Sequence, residues 1–82
     1  MTYSEISRPG MKTLEKVTRV LCEESVISKT LLSQRANVNY SRLSMCLEWM
    51  RRKRIVDVVE SDGRSLVKIT ENGRMFAVTF FS

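Results

Sequence analysis

The apolar positions of the chain follow two different rhythms. From Lys12 to about Glu24, Leu14, Val17, Val20 and Leu21 recur at three- and four-residue steps, the spacing of one face of an amphipathic helix. Lys12, Lys16 and Arg19, with Glu15 and Glu23, form its wet face, where Glu15 and Arg19 make a favourable i,i+4 pair. Ser25-Val26-Ile27 is too short for an independent element and reads as an extended link. Ser28 is a good N-cap for a second helix, Lys29 to Ala36, with Leu31 and Leu32 as its buried pair. Asn37-Val38-Asn39 then breaks the pattern, because both asparagines tolerate left-handed or capping backbone around the apolar anchor Val38. A third helix is expected from Tyr40 to about Lys53, with Leu43, Cys46, Leu47 and Met50 on one stripe.

Beyond Arg54 the period changes to that of strands. Ile55 to Glu60 is rich in β-branched residues, Asp62-Gly63 is a strong hairpin signal, and Ser65 to Ile69 is the returning strand. Thr70 caps a final helix from Glu71 to about Phe80, in which Gly73 is costly by propensity and predicts a close approach to the hairpin. Two helices joined by a three-residue turn and followed by a hairpin make a winged helix-turn-helix. The fold class expected is α+β, mainly α: three helices, a β-hairpin wing and a C-terminal helix over residues 12–82, with residues 1–11 as a flexible lead-in ending in Pro9-Gly10.

Composition narrows the chemistry. The 82 residues contain no histidine, which excludes Ser–His and Cys–His catalysis and His-containing metal sites. Cys22 and Cys46 lack C-x-x-C partners and sit on apolar stripes, so they read as small core residues; a disulfide between them would belong to a hyperthermophile. With three glycines, Gly10, Gly63 and Gly73, no phosphate-binding glycine loop can be written. No apolar run approaches the ~18–20 residues that span a bilayer, and the first ten residues lack a signal-peptide core. The expectation is a cytoplasmic, non-enzymatic binding module with no cofactor, no metal and no evident small-molecule ligand.

Charge then points to a partner. The net charge is +5, yet residues 28–54 alone carry seven bases (Lys29, Arg35, Arg42, Arg51, Arg52, Lys53, Arg54) against Glu48, a net +6. Residues 1–27 are neutral and residues 55–82 carry −1. A field concentrated in this way attracts a polyanion and releases its counterions, although a basic surface also serves solubility.

The run "SVISKTLLSQRANVNYSRLSMCLEWMRRKRIVDVVESDGRSLVKITENGRMFA" resembles archaeal winged-helix DNA-binding proteins, including small regulators of crenarchaeal plasmids and viruses. "ANVNYSRLSMCLEWM" is similar to that family's turn and recognition helix, and "VKITENGRMFA" to its strand followed by a Thr-Glu-x-Gly helix start. The resemblance covers roughly residues 12–80 and implies the fold and duplex DNA binding without implying a target sequence. Some relatives continue into a C-terminal coiled-coil helix for which this chain has no residues, so a dimer is expected to use another surface.

On the third helix, burying its apolar stripe turns Ser41, Met45, Glu48 and Arg52 outward, with Arg42 and Trp49 on one flank and Ser44 and Arg51 on the other. Tyr40, Ser41, Arg42, Ser44 and Met45 are then the candidate base readers: Arg42 offers two donors to guanine and Met45 an apolar contact to a thymine methyl. Glu48 either accepts from cytosine or pairs with Arg52. Ser28, Lys29 and Thr30 at the start of the second helix, together with Arg35, are candidate phosphate contacts. Arg51, Arg52 and Lys53 either join them or complement the helix dipole. Arg64 is the single basic probe of the wing, weakened by Asp62 beside it. Trp49 reads as packing over the hairpin or at a subunit interface, and Tyr3 likewise as packing. Phe76, Phe80 and Phe81 either complete the core or meet a second copy. The expected activity is that of a sequence-specific, homodimeric regulator of transcription on double-stranded DNA. The alternatives are a sequence-indifferent, chromatin-type coat and a winged-helix module that docks on another protein.

Overall fold

The computed structural model describes residues 8–81. Its elements are α1 (Met11–Glu24), β1 (Val26–Ser28), α2 (Lys29–Ala36), α3 (Tyr40–Arg52), β2 (Val56–Ser61), β3 (Arg64–Ile69) and α4 (Glu71–Phe81). Tyr3 and most of the expected lead-in lie outside the described residues, and α1 begins at Met11. Three helices wrap one face of a small antiparallel sheet of order β1-β3-β2. The core is one cluster in which Leu14, Val17 and Leu21 of α1 meet Leu32 of α2, Leu43, Cys46 and Met50 of α3, and Val56 and Val67 of the sheet.

Caps and turns follow the local chemistry of the sequence. Ser28 caps α2 by accepting the Leu31 N–H at 3.2 Å, and Asn39 caps α3 by accepting the Arg42 N–H at 3.1 Å. Asn37 ends α2 in the left-handed region at φ 56°, where asparagine is better tolerated than most residues. The turn is tied by the Ser33 hydroxyl, which donates to the Val38 carbonyl at 2.7 Å, while Val38 is buried. At the wing tip Asp62 and Gly63 both have positive φ, 50° and 76°, as a two-residue type I′ connection requires.

Four sequence expectations are corrected. Ser25-Val26-Ile27 is not merely a link, because Val26–Ser28 pairs with β3 in the register Val26↔Lys68, Ile27↔Val67, Ser28↔Leu66. A three-residue strand has no sequence signature of its own; it forms because β3 already offers an unpaired edge. Leu31 is 42% exposed while Leu32 is fully buried: adjacent helical residues point ~100° apart, and the short helix α2 turns Leu32 to the core and leaves Leu31 at its edge. Ile55 precedes β2 rather than starting it, and α3 stops at Arg52, where the chain turns through Lys53 and a left-handed Arg54 (φ 63°). Cys46 is buried, Cys22 is half-buried, and both thiols are free.

The start of α4 closes the domain. Thr70 caps it, its hydroxyl oxygen accepting the Gly73 N–H at 2.9 Å and lying 2.7 Å from the Arg54 carbonyl. The Asn72 amide donates to the Lys53 carbonyl at 3.2 Å, so the end of α3 is satisfied by residues of α4. Gly73 is buried against the Ile55 carbonyl and the Ile69 side chain, the close approach that its place in the sequence predicts.

Candidate nucleic-acid interface

The register of the sheet brings three separate stretches of the chain together. Because Ser28 pairs with Leu66, the N-terminus of α2 lies beside the wing tip, and the turn through Val38 sets the first residue of α3 against both. Ser28, Lys29, Thr30, Tyr40, Gly63, Arg64 and Ser65 line one cleft of about 410 Å³. The Lys29 ammonium sits 4.9 Å from the centre of the Tyr40 ring, a cation–π contact that holds it at the cleft. The Ser65 hydroxyl donates to the Glu60 carboxylate at 2.8 Å. Among the described residues Lys29 and Arg64 are the charged groups that line this cleft, with the Glu60 carboxylate held behind Ser65.

On α3 the helix phase expected from the sequence holds. Leu43, Cys46, Leu47 and Met50 are buried, whereas Ser41, Arg42, Met45 and Arg52 are exposed, Met45 by 67% and Tyr40 by 50%. Ser41, Arg42 and Met45 open onto a second cleft, on the α1 side, whose other wall is Arg8, Pro9, Gly10 and Thr13. Ser44 lies on the opposite flank with Lys29, Glu48, Arg51 and Val58. The five candidate readers therefore occupy the first two turns of α3, between α1 on one side and the wing on the other.

The basic residues are not equally available. Arg35 makes an ion pair with Glu24 of α1 at 2.8 Å, a contact between residues eleven apart that no local pattern announces. Glu48 pairs with Arg51 as well as Arg52: it accepts from Arg51 Nη2 at 2.6 Å and Nε at 3.2 Å, and from Arg52 Nε at 3.2 Å. The Arg51 hydrogen bonds, followed by that from Arg52, hold its carboxyl below the ordinary carboxylate range, and they raise Arg51 in turn. Lys53 lies over the half-buried Trp49 ring, 5.7 Å from its centre. The field of the +6 segment is thus muted along the second half of α3. Arg42 and Arg64 make no ion pair among the described residues, so both cations beside the start of α3 keep their charge uncompensated by a salt bridge. Arg8, absent from the sequence candidates, joins them only through the packing of α1 on α3, which its neighbours in sequence do not signal.

At the other end of the molecule α4 presents apolar surface. Met75, Val78 and Phe80 are 64%, 67% and 58% exposed. Phe76 and Phe81 are half-buried against the core, and the Phe76 ring lies 4.9 Å from Phe80 and 5.7 Å from Phe81. Trp49 shares a cleft with Met75, Phe76 and Thr79, so it packs towards α4. Among the described residues no cluster of three His, Cys, Asp or Glu side chains can hold a metal, and no helix is long and apolar enough to cross a membrane.

The arrangement recurs in solved structures. A MarR-family transcriptional regulator from Silicibacter pomeroyi is similar with a TM-score of 0.80, at 22% identity over 83% of this chain and 47% of that one. The fold is a winged helix-turn-helix. The PcaV transcriptional regulator from Streptomyces coelicolor is similar at a TM-score of 0.78 and 21% identity, over 82% of this chain and 52% of its own. The chain spans about half the length of these two regulators. A proposed DNA-binding protein from Ralstonia eutropha JMP134 is similar at a TM-score of 0.75 and 27% identity, over 85% of this chain and 95% of that one. All three are bacterial, so the affiliation with archaeal plasmid and virus regulators rests on the sequence resemblance alone. No protein-family model matches the sequence, and no curated protein does.

Proposed function

We propose that the protein is a sequence-specific, double-stranded-DNA-binding regulator of transcription, with α3 as the helix that enters the major groove. The observation that carries this reading is the cleft in which the α2 N-terminus, Tyr40 and the wing tip converge around Lys29 and Arg64, with no carboxylate lining it among the described residues. Free N–H groups at a helix start, a hydroxyl and two cations suit a phosphate. A phosphate held there brings the first turns of α3 to the base edges, where Arg42 donates to guanine and Met45 meets a thymine methyl. Tyr40, Ser41 and Ser44 complete the reading face, Ser28 and Thr30 the backbone contacts. Arg35, Arg51 and Arg52 are secondary, because each is already engaged by a carboxylate. The likeness to transcriptional regulators supports the role.

Two copies acting together suit a two-fold DNA site, and the exposed apolar face of α4 around Phe80, with Phe76 and Phe81 behind it, supports a homodimer through that helix. The test of the whole reading is selection from a random duplex pool, followed by binding of the selected sequence and of random duplex to variants. Arg42→Ala relaxes base preference, by about 1–3 kcal/mol at the position it reads. Lys29→Ala weakens all sequences alike. If neither substitution alters duplex binding, the assignment of α2 and α3 is wrong. If excess random duplex competes as well as the selected one, the protein is a sequence-indifferent coat. Sedimentation with and without Phe80→Ala decides the dimer.

A further inference from the structure

The two clefts beside the first turn of α3 have the same electrical character. The wing-side cleft carries Lys29 and Arg64; the α1-side cleft, of about 490 Å³, carries Arg8 and Arg42; among the described residues neither is lined by an acid. The other clefts described differ. The groove between α1 and α4 balances Arg19 and Arg74 against Glu15 and Glu23, and the α3–wing cleft sets Lys29 and Arg51 against Glu48. Clefts lined by two cations and, among the described residues, by no acid therefore occur as a pair that straddles one helical turn, Asn39 to Arg42 on one side and Tyr40 on the other.

A helix seated in the major groove lies between two phosphate strands, because the groove is only about 12 Å wide and an α-helix with its side chains about 10–12 Å across. A single cationic cleft can hold one of those strands. We propose that Arg8 and Thr13, facing Ser41 and Arg42 across the α1-side cleft, form a second phosphate site that takes the strand opposite to the one held by Lys29 and Arg64. Arg8 is exposed and Thr13 half-exposed, so a phosphate reaches both without rearrangement of the core. Arg42 lies at the lip of this cleft, where one guanidinium serves either a phosphate or a guanine; Arg8 supplies the charge that leaves Arg42 for the base. The inference rests on the DNA-binding reading and adds a residue from the segment before α1 to it.

The experiment is anisotropy of the full chain on a labelled 20-base-pair random-sequence duplex, across a potassium chloride series. Each phosphate contact contributes about −0.9 to the slope of log K against log salt. Arg8→Ala is expected to make the slope shallower by about 0.9 and to weaken binding several-fold, equally on unrelated duplexes. Arg8→Lys, which retains the charge, is expected to restore most of the slope. The double variant with Lys29→Ala is expected to lose about 1.8, because separate strands give independent contacts. Circular dichroism checks that Arg8→Ala keeps the fold; a melted variant is replaced by Thr13→Asp, which places a like charge against phosphate and is expected to weaken binding in the same way. An Arg8→Ala slope equal to that of the unaltered chain overturns the second site and leaves the DNA-binding reading intact. Absence of duplex binding by the unaltered chain at 50 mM salt overturns both.

Discussion

Replacing Gly73 with alanine sets two known effects against each other. Alanine is the better helix former by roughly 0.5–1 kcal/mol, so propensity alone favours the substitution. The site opposes it. A Cβ at position 73 would overlap the backbone carbonyl oxygen of Ile55 and come within 2.8 Å of the Ile69 Cγ1. The carbonyl cannot retreat cheaply, because it accepts the Thr70 N–H at 3.1 Å and the Thr70 hydroxyl at 3.0 Å. Overpacking by one methyl against side chains costs about 1–3 kcal/mol, and contact with fixed backbone belongs at the upper end. The net expectation is a loss of about 2 kcal/mol, or roughly 8–16 °C in Tm for a domain of this size. Thermal and urea unfolding followed by circular dichroism measure both quantities. An unchanged or raised Tm would refute the argument, because it would mean that α4 and the Ile55 strand root are free to move apart.

Thr18 is fully buried in α1 and its hydroxyl has no hydrogen-bond partner among the described residues, so Thr18→Val is expected to stabilise the fold by about 1–2 kcal/mol, read as a higher urea midpoint. Burial pushes the Cys46 thiol up to about 11 from 9.0. The unfolded chain then loses this proton first, so stability present below about pH 9 falls by up to about 3 kcal/mol as the pH rises to about 11, a fall absent from Cys46→Ala. Iodoacetamide at pH 8 should label the half-buried Cys22 well before Cys46. Glu48→Gln releases Arg51 and Arg52 from a carboxylate they share, so it should tighten binding to random duplex and steepen its salt slope by about 1. Because the Glu48 carboxyl is held low, those pairs are present above the ordinary carboxylate range and are lost only as pH falls through the depressed value.

What could be read from the sequence was what depends on near neighbours. The Ser28 and Asn39 caps, the Asp62-Gly63 turn and the buried stripe of α3 are each decided within four or five residues, and each lies where its local chemistry puts it. β1 escaped because Val26–Ser28 becomes a strand only when β3, some forty residues later, presents an edge. Leu31 faces outward because the way α2 packs, which its own eight residues do not announce, turns Leu32 and Ala36 to the core. The same limit governs the site. The exposed face of α3 was legible from its period, whereas the capture of Arg35 by Glu24 and the arrival of Arg8 beside Arg42 depend on how α1 docks. Glu48 stood in between: its pairs with Arg52 at i,i+4 and Arg51 at i,i+3 both follow from helical spacing, but only the first was expected.

Ser28 is at once the last residue of β1 and the cap of α2, and its rung in the sheet is fixed opposite Leu66. The distance between Lys29 and Arg64 is therefore a ruler graduated in strand residues. Arg64 stands two positions before Leu66, about 6–7 Å along the strand, and neither end of that interval is a flexible loop. Deletion of Ser65, between Arg64 and Leu66, would not simply shorten the wing. It would reset the interval between the two cations and turn Arg64 to the other face of the sheet, so spacing along the duplex and side-chain direction would fail together.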